Sequence, residues 1–69
     1  MTNTVLLRRA VKNRGIKYQH IAQELGISPT TLSRKVQNDS DFRANEIAAI
    51  TKILDLSPQE VKNIFLQQS

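Results

Sequence analysis

The sequence contains no cysteine, which excludes a disulfide framework and any thiolate-held metal. It has a single histidine, His20, so no metal site is expected and His20 is read as a surface residue. No apolar run approaches the ~20 residues that span a bilayer. The opening ten residues are interrupted by Arg8 and Arg9, unlike the apolar stretch of a secretory leader. No membrane association is therefore expected, and the expected location is the cytoplasm. Strand signals are missing too, because no alternating run of Val, Ile, Thr or Tyr is bounded by turn residues. Internal repeats and low-complexity stretches are absent. No nucleophile–base pairing and no phosphate-cradling glycine loop can be traced. A chain of 69 residues also leaves little room for an enzyme cleft, so neither catalysis, cofactor nor small-molecule ligand is expected. Asp39 and Asp41 lie two apart but begin no calcium-loop pattern and are read as shaping a turn.

What is present is helical periodicity throughout. Proline and glycine are scarce, two of each, and they punctuate the periodic segments. The first helix is expected over residues 4–13, burying Leu6, Leu7, Ala10 and Val11, with Gly15 as a left-handed closing residue and Ile16 plugging the core. The second covers residues 18–25, burying Ile21, Ala22 and Leu25 before Gly26. Ser28 is an N-cap and Pro29 suits a first turn, so a third helix covers residues 29–37, burying Leu32 and Val36. Asn38 can then adopt a left-handed conformation cheaply. Residues 39–43 form a loop with Phe42 turned inward. The fourth helix covers residues 44–54, with Ile47, Ile50, Ile53 and Leu54 on or beside its buried side. Ser57 and Glu60 form a capping box around Pro58, opening a fifth helix over residues 58–67 that presents Val61, Ile64 and Phe65. The expected fold class is all-α, a compact five-helix arrangement in which residues 1–69 form one domain. Hydrophobic residues make up 39% of the chain, enough for one small core.

The net charge of +4 is unevenly spread. Residues 1–38 carry seven cations (Arg8, Arg9, Lys12, Arg14, Lys17, Arg34 and Lys35) against Glu24 alone, a balance of +6. Residues 39–69 carry three cations against five anions, a balance of −2. A basic half joined to a mildly acidic one points to a polyanion-binding face.

The segment from Tyr18 to Val36 holds the constellation that carries function. Ala22 stands four before Gly26, Ile27 follows the glycine, and Leu32 comes six after it. Two helices that cross steeply and nearly touch need a small side chain such as Ala22. The turn between them needs a positive φ, which Gly26 supplies without strain. Ile27, Leu32 and Val36 pin the third helix to the core and leave its other side free for a DNA major groove. That side is polar: Thr30, Thr31, Ser33, Arg34 and Lys35. Arg34 can reach O6 and N7 of guanine in a bidentate contact, and Thr30 and Thr31 can bond to base edges or touch a thymine methyl. From Ser28, the helix N-terminus aims free amides toward phosphate. Arg14, Lys17, Gln19, Lys35, Asn38 and Arg43 are further phosphate-contact candidates, Arg14 favoured because it ends the first helix near the recognition face.

The run from Gly15 to Ser33, GIKYQHIAQELGISPTTLS, resembles the helix-turn-helix of phage Cro and repressor proteins and their bacterial relatives. Phe42, Glu46-Ile47, Ile50, Leu54, Leu56-Ser57, Glu60 and Ile64-Phe65 resemble the fourth and fifth helices of small phage-encoded members. The resemblance covers nearly the whole chain, from Leu7 to Phe65. It implies the lambda-repressor-like DNA-binding fold of five helices, a double-stranded operator as ligand, and repression or a lysis–lysogeny switch in a bacterial host cell. Carried onto this chain, the family's base-reading positions are Pro29, Thr30, Ser33 and Arg34, and its phosphate contact at the start of the second helix is Tyr18. The family usually has glutamine at the position of Tyr18, a Ser or Thr cap at that of Lys17, a hydrogen-bonding side chain at that of Pro29, and glycine at that of Asn38.

A lone recognition helix reads few base pairs, so a homodimer on DNA is expected, with half-sites ~34 Å apart. The apolar cluster Ile64, Phe65 and Leu66 either completes the core or forms the candidate contact between protomers. The alternative reading is a helical protein-interaction module on the same scaffold, an anti-repressor or partner-binding protein with no operator of its own.

Overall fold

The computed structural model describes residues 1–66 and contains five helices: α1 (Thr4–Arg14), α2 (Tyr18–Leu25), α3 (Pro29–Val36), α4 (Ala44–Ile53) and α5 (Pro58–Phe65). No strand occurs among the described residues. Each boundary falls within two residues of its expected position, and Gln67, the expected end of the last helix, lies outside the described residues.

Side-chain caps open three of the helices. The Asn3 side chain accepts from the Leu6 N–H, the Ser28 hydroxyl from Thr31 N–H and the Ser57 hydroxyl from Glu60 N–H. Glu60 reciprocates by accepting from the Ser57 N–H at 3.1 Å, completing the expected capping box. Lys17 precedes α2 and makes no capping bond, because an ammonium cannot accept one.

Four helices close in the same way. A residue of positive φ ends the turn, and the N–H of the next residue reaches a carbonyl five back. The closing residues are Gly15 (φ 65), Gly26 (φ 69), Asn38 (φ 67) and Asp55 (φ 52). The accompanying bonds run from Ile16 to Val11, Ile27 to Ala22, Asp39 to Arg34 and Leu56 to Thr51. This geometry satisfies carbonyls that a helix end otherwise leaves bare. After three of the four, the next residue is apolar and packs on the core: Ile16, Ile27 and Leu56.

The core is assembled from all five helices. Leu7, Ile21, Leu32, Ile50 and Leu54 are its largest fully buried side chains, joined by Ala10, Val11, Ala22, Val36, Leu56, Ile64 and Phe65. Phe42 turns inward as expected, its ring meeting that of Phe65 edge-on at 5.5 Å between centroids. α2 packs on both α3 and α4, and α1 packs on α5.

One expectation is corrected by this packing. Ile64 and Phe65 are only 2% and 7% exposed, because these neighbouring positions on the last turn of α5 both face the core. They form no surface cluster for a second protomer, and of the expected trio only Leu66 is exposed.

Candidate nucleic-acid interface

α3 has two distinct sides. Leu32, Lys35 and Val36 are buried, while Pro29, Thr30, Ser33, Arg34 and Gln37 are exposed. The exposed positions recur at helical spacing and form one stripe along the helix. The structure thus brings together four of the residues expected to face bases, Pro29, Thr30, Ser33 and Arg34, on one solvent-facing surface. Thr31 is half-buried, and its hydroxyl accepts from that of Ser28 at 2.9 Å. Gln37 extends the stripe by one further turn and donates from its side-chain amide to the Ser33 hydroxyl at 3.0 Å. It was not singled out from the sequence, although its spacing of four from Ser33 carried the signal. Arg34 makes no ion pair among the described residues, which leaves its five donors available.

The start of α2 lies beside this stripe. Lys17 and Gln19 are exposed there, and Tyr18 is partly covered at 38% exposure. Tyr18 lines a groove together with Arg8 of α1 and with Pro29, Leu32, Ser33 and Val36 of α3. Burial pushes the Tyr18 phenol above its ordinary pKa, and the Arg8 charge offsets only part of that rise. The phenol accordingly remains a neutral hydroxyl donor near neutral pH, a state suited to a phosphate oxygen. Arg8 was placed from sequence no more firmly than its basic neighbours in the first helix. Only folding reveals that it faces α2 and α3.

Three residues expected to touch phosphate are engaged within the protein instead. Lys35 is 8% exposed; its ammonium pairs with the Glu46 carboxylate at 2.7 Å and donates to the Asp41 carbonyl at 3.2 Å. The Glu46 carboxylate also accepts from the Arg43 N–H at 2.7 Å. Burial raises the Glu46 pKa, but the Lys35 and Arg43 hydrogen bonds and charges outweigh it, so the carboxyl sits below its ordinary range. Arg14 turns toward α4 and α5, donating to the Leu54 carbonyl at 2.8 Å and pairing with Glu60 at 3.2 Å. Asn38 has the expected left-handed backbone, yet its side-chain oxygen accepts from Thr2 N–H at 2.8 Å and its amide donates to the Thr2 carbonyl at 2.7 Å. Thr4 adds a hydroxyl bond to the Val36 carbonyl. The N-terminal segment thereby straps the end of α3. Arg43 remains exposed in the loop after α3. The exposed His20 lies 3.9 Å from Glu24, and no group of three His, Cys, Asp or Glu among the described residues can hold a metal ion.

A capped helix held at the surface by a buried stripe, after a left-handed Gly26 turn and a closely packed α2, is a helix-turn-helix. The Cro/C1-type HTH DNA-binding domain family matches residues 7–64. The chain belongs to this family. No curated protein matches it. As a Cro/C1-type HTH domain it is a DNA-binding transcription regulator, and double-stranded DNA is its ligand. No helix among the described residues is long and apolar enough to cross a membrane.

Proposed function

We propose that this Cro/C1-type HTH protein is a sequence-specific operator-binding repressor of a phage or prophage, acting as a homodimer on DNA in the cytoplasm of a bacterial host. The observation that carries the reading is the exposed stripe of Pro29, Thr30, Ser33, Arg34 and Gln37, set against the buried face of the same helix. Docked in the major groove, that stripe meets base edges, with Arg34 suited to guanine. Lys17, Tyr18, Gln19, Arg43 and the α3 N-terminus then flank it for phosphate contacts, which set register and orientation. Binding, without catalysis, is the activity, and repression follows when an occupied operator excludes the transcription machinery. Twofold pairing doubles the sequence read and places the two recognition helices ~34 Å apart.

Selection from a random duplex library, with sequencing of what the purified protein retains, tests this reading. An enriched inverted repeat with about one-turn spacing is the expected result. Retention without enrichment, at low and near-physiological salt, would favour a protein-interaction module. On the selected operator, Arg34→Ala is expected to weaken specific binding by ~1–3 kcal/mol and relax one base preference. An equal loss on all sequences would make Arg34 a phosphate contact.

A further inference from the structure

The extended residues ahead of α1 close on the far end of the recognition helix. The Asn38 side chain pairs with both polar groups of the Thr2 backbone. Its oxygen accepts from the Thr2 N–H at 2.8 Å, and its amide donates to the Thr2 carbonyl at 2.7 Å. The same amide reaches the Thr4 hydroxyl at 3.3 Å. That hydroxyl donates to the Val36 carbonyl, one of those that a helix end leaves bare. The Asn3 N–H donates to the Ile64 carbonyl at 2.7 Å, anchoring the strap on α5. Thr2, Thr4 and Asn38 are all half-buried. The left-handed backbone at Asn38 (φ 67) is open to glycine, asparagine and aspartate. Of the three, only asparagine carries a donor and an acceptor in one plane. Closing α3 therefore accounts for a tolerant residue at this position but not for the paired amide, since glycine closes a helix as well.

The amide acts on the orientation of α3. This helix packs chiefly on α2, and its N-terminus is fixed by the Gly26 turn and the Ser28 cap. Lys35 ties its last turn toward α4, which leaves the clasp to tie that turn to α1 and α5. The eight residues of α3 span about 12 Å, so a pivot of about 5° at the N-terminus moves the far end by about 1 Å. Arg34 and Gln37 ride on the far end, whereas Thr30 sits in the first turn. A bidentate contact between Arg34 and guanine is the most directional that the stripe can make. We propose that Asn38, Thr2 and Thr4 are specificity-determining positioning residues. Without touching DNA, their clasp sets the angle at which α3 presents Arg34 and Gln37 to the bases. The inference rests on the operator-binding reading above, and it gives a role in base selection to a segment outside the helix-turn-helix.

On the selected operator, Arg34→Ala and Thr30→Ala first mark the base pair that each residue reads. Asn38→Gly then keeps the left-handed closure and removes the clasp, while Thr4→Val keeps the side-chain shape and removes the hydroxyl. Each is expected to lose roughly three- to tenfold in affinity for the selected operator, the effect of about one hydrogen bond. Binding to random duplex should fall by less than about twofold, because the phosphate contacts that dominate it are untouched. Preference should relax at the base pair marked by Arg34 and hold at the one marked by Thr30. The two changes together should cost little more than Asn38→Gly alone, because they break one network. An equal loss on all duplexes in Asn38→Gly, with a shallower salt dependence and no effect of Thr4→Val, would make Asn38 a phosphate contact and overturn the proposal. Unchanged affinity in both variants, or preference relaxed equally along the whole operator, would leave the clasp a support of the fold and also overturn it. Failure of the unaltered protein to select any operator would remove the operator reading itself, and the clasp's role in base selection with it.

Discussion

Lys35 and Arg34 are neighbours in sequence with opposite fates. Arg34 projects from the exposed stripe of α3, whereas Lys35 lies three residues after Leu32 and one before Val36, within the angular range that α3 buries. An ammonium in that position requires an acceptor set, which Glu46 and the Asp41 carbonyl provide. Removing one partner of a buried pair strands the other charge, at a cost of ~3–5 kcal/mol. Lys35→Ala is therefore expected to lower the urea-unfolding free energy by about 3 kcal/mol. Lys35→Met combined with Glu46→Gln should recover much of it, since no uncompensated charge remains. DNA affinity per folded molecule, and its salt dependence, should barely change in the double variant. Unchanged unfolding together with a shallower salt dependence would instead restore Lys35 as a phosphate contact. The spacing that buries Lys35 was visible in the sequence, but the residue type argued the other way. Its partner is eleven residues distant on another helix, beyond the reach of any local pattern. The same holds for Arg14, whose acceptors Leu54 and Glu60 are brought to it only by the packing of the last two helices.

Helix ends were more legible than side-chain roles because they are set by local chemistry. Gly15 and Gly26 occupy positive φ where any Cβ is strained, and Asn38 is among the few other residues that visit that region readily. Asp55 performs the same closure for α4 but reads in the sequence as an ordinary surface charge, so its role was not found. Gly26 matters most, because it sets the direction in which the chain leaves α2 for α3. A Cβ built there meets nothing within 4 Å, so the cost of Gly26→Ala is that of the backbone conformation alone, roughly 1–2 kcal/mol. Gly26→Asn should cost less. Ala22, at 1% exposure, poses the opposite problem. Its backbone is ordinary and its surroundings are full, so Ala22→Val overpacks the contact between α2 and its neighbours at a cost of ~1–3 kcal/mol. Melting temperatures check the stabilities. Affinity on the selected operator separates the two mechanisms. Gly26→Ala should retain binding in the folded fraction, whereas Ala22→Val, by displacing α3, should weaken specific binding more than binding to random duplex.

For the molecule as a whole, two carboxylates tie together helices that hydrophobic packing alone would leave less firmly oriented. Glu46 joins the end of α3 to the start of α4, and Glu60 links the end of α1 to α5. Both have pKa values below the ordinary range. Glu46 is shifted down by the Lys35 and Arg43 hydrogen bonds against the opposing effect of burial. Glu60 is lowered chiefly by the Ser57 N–H and further by Arg14. A carboxyl that is more acidic in the folded chain than in the unfolded one makes the unfolded state bind more protons at acid pH. Stability then rises with pH through that interval. It is fully present above the ordinary glutamate range and is lost as pH falls through the folded values. The melting temperature is expected to hold steady around neutrality and to drop as pH falls below about 5. Glu46→Gln should lower it at neutral pH and flatten the descent, since its side chain no longer titrates. The same protonation acts oppositely on the ligand-binding side. The cations of residues 1–38 keep their charge while the acids of the other half are neutralised, so the net positive charge grows. Phosphate attraction, the main source of affinity for duplex DNA and of its salt dependence, is therefore expected to persist in the folded fraction as stability declines. Binding titrations at fixed ionic strength, corrected for the folded fraction from circular dichroism, measure this directly. Affinity that falls in step with carboxylate protonation while the fold stays intact would mean that a carboxylate, not the basic face, governs DNA binding.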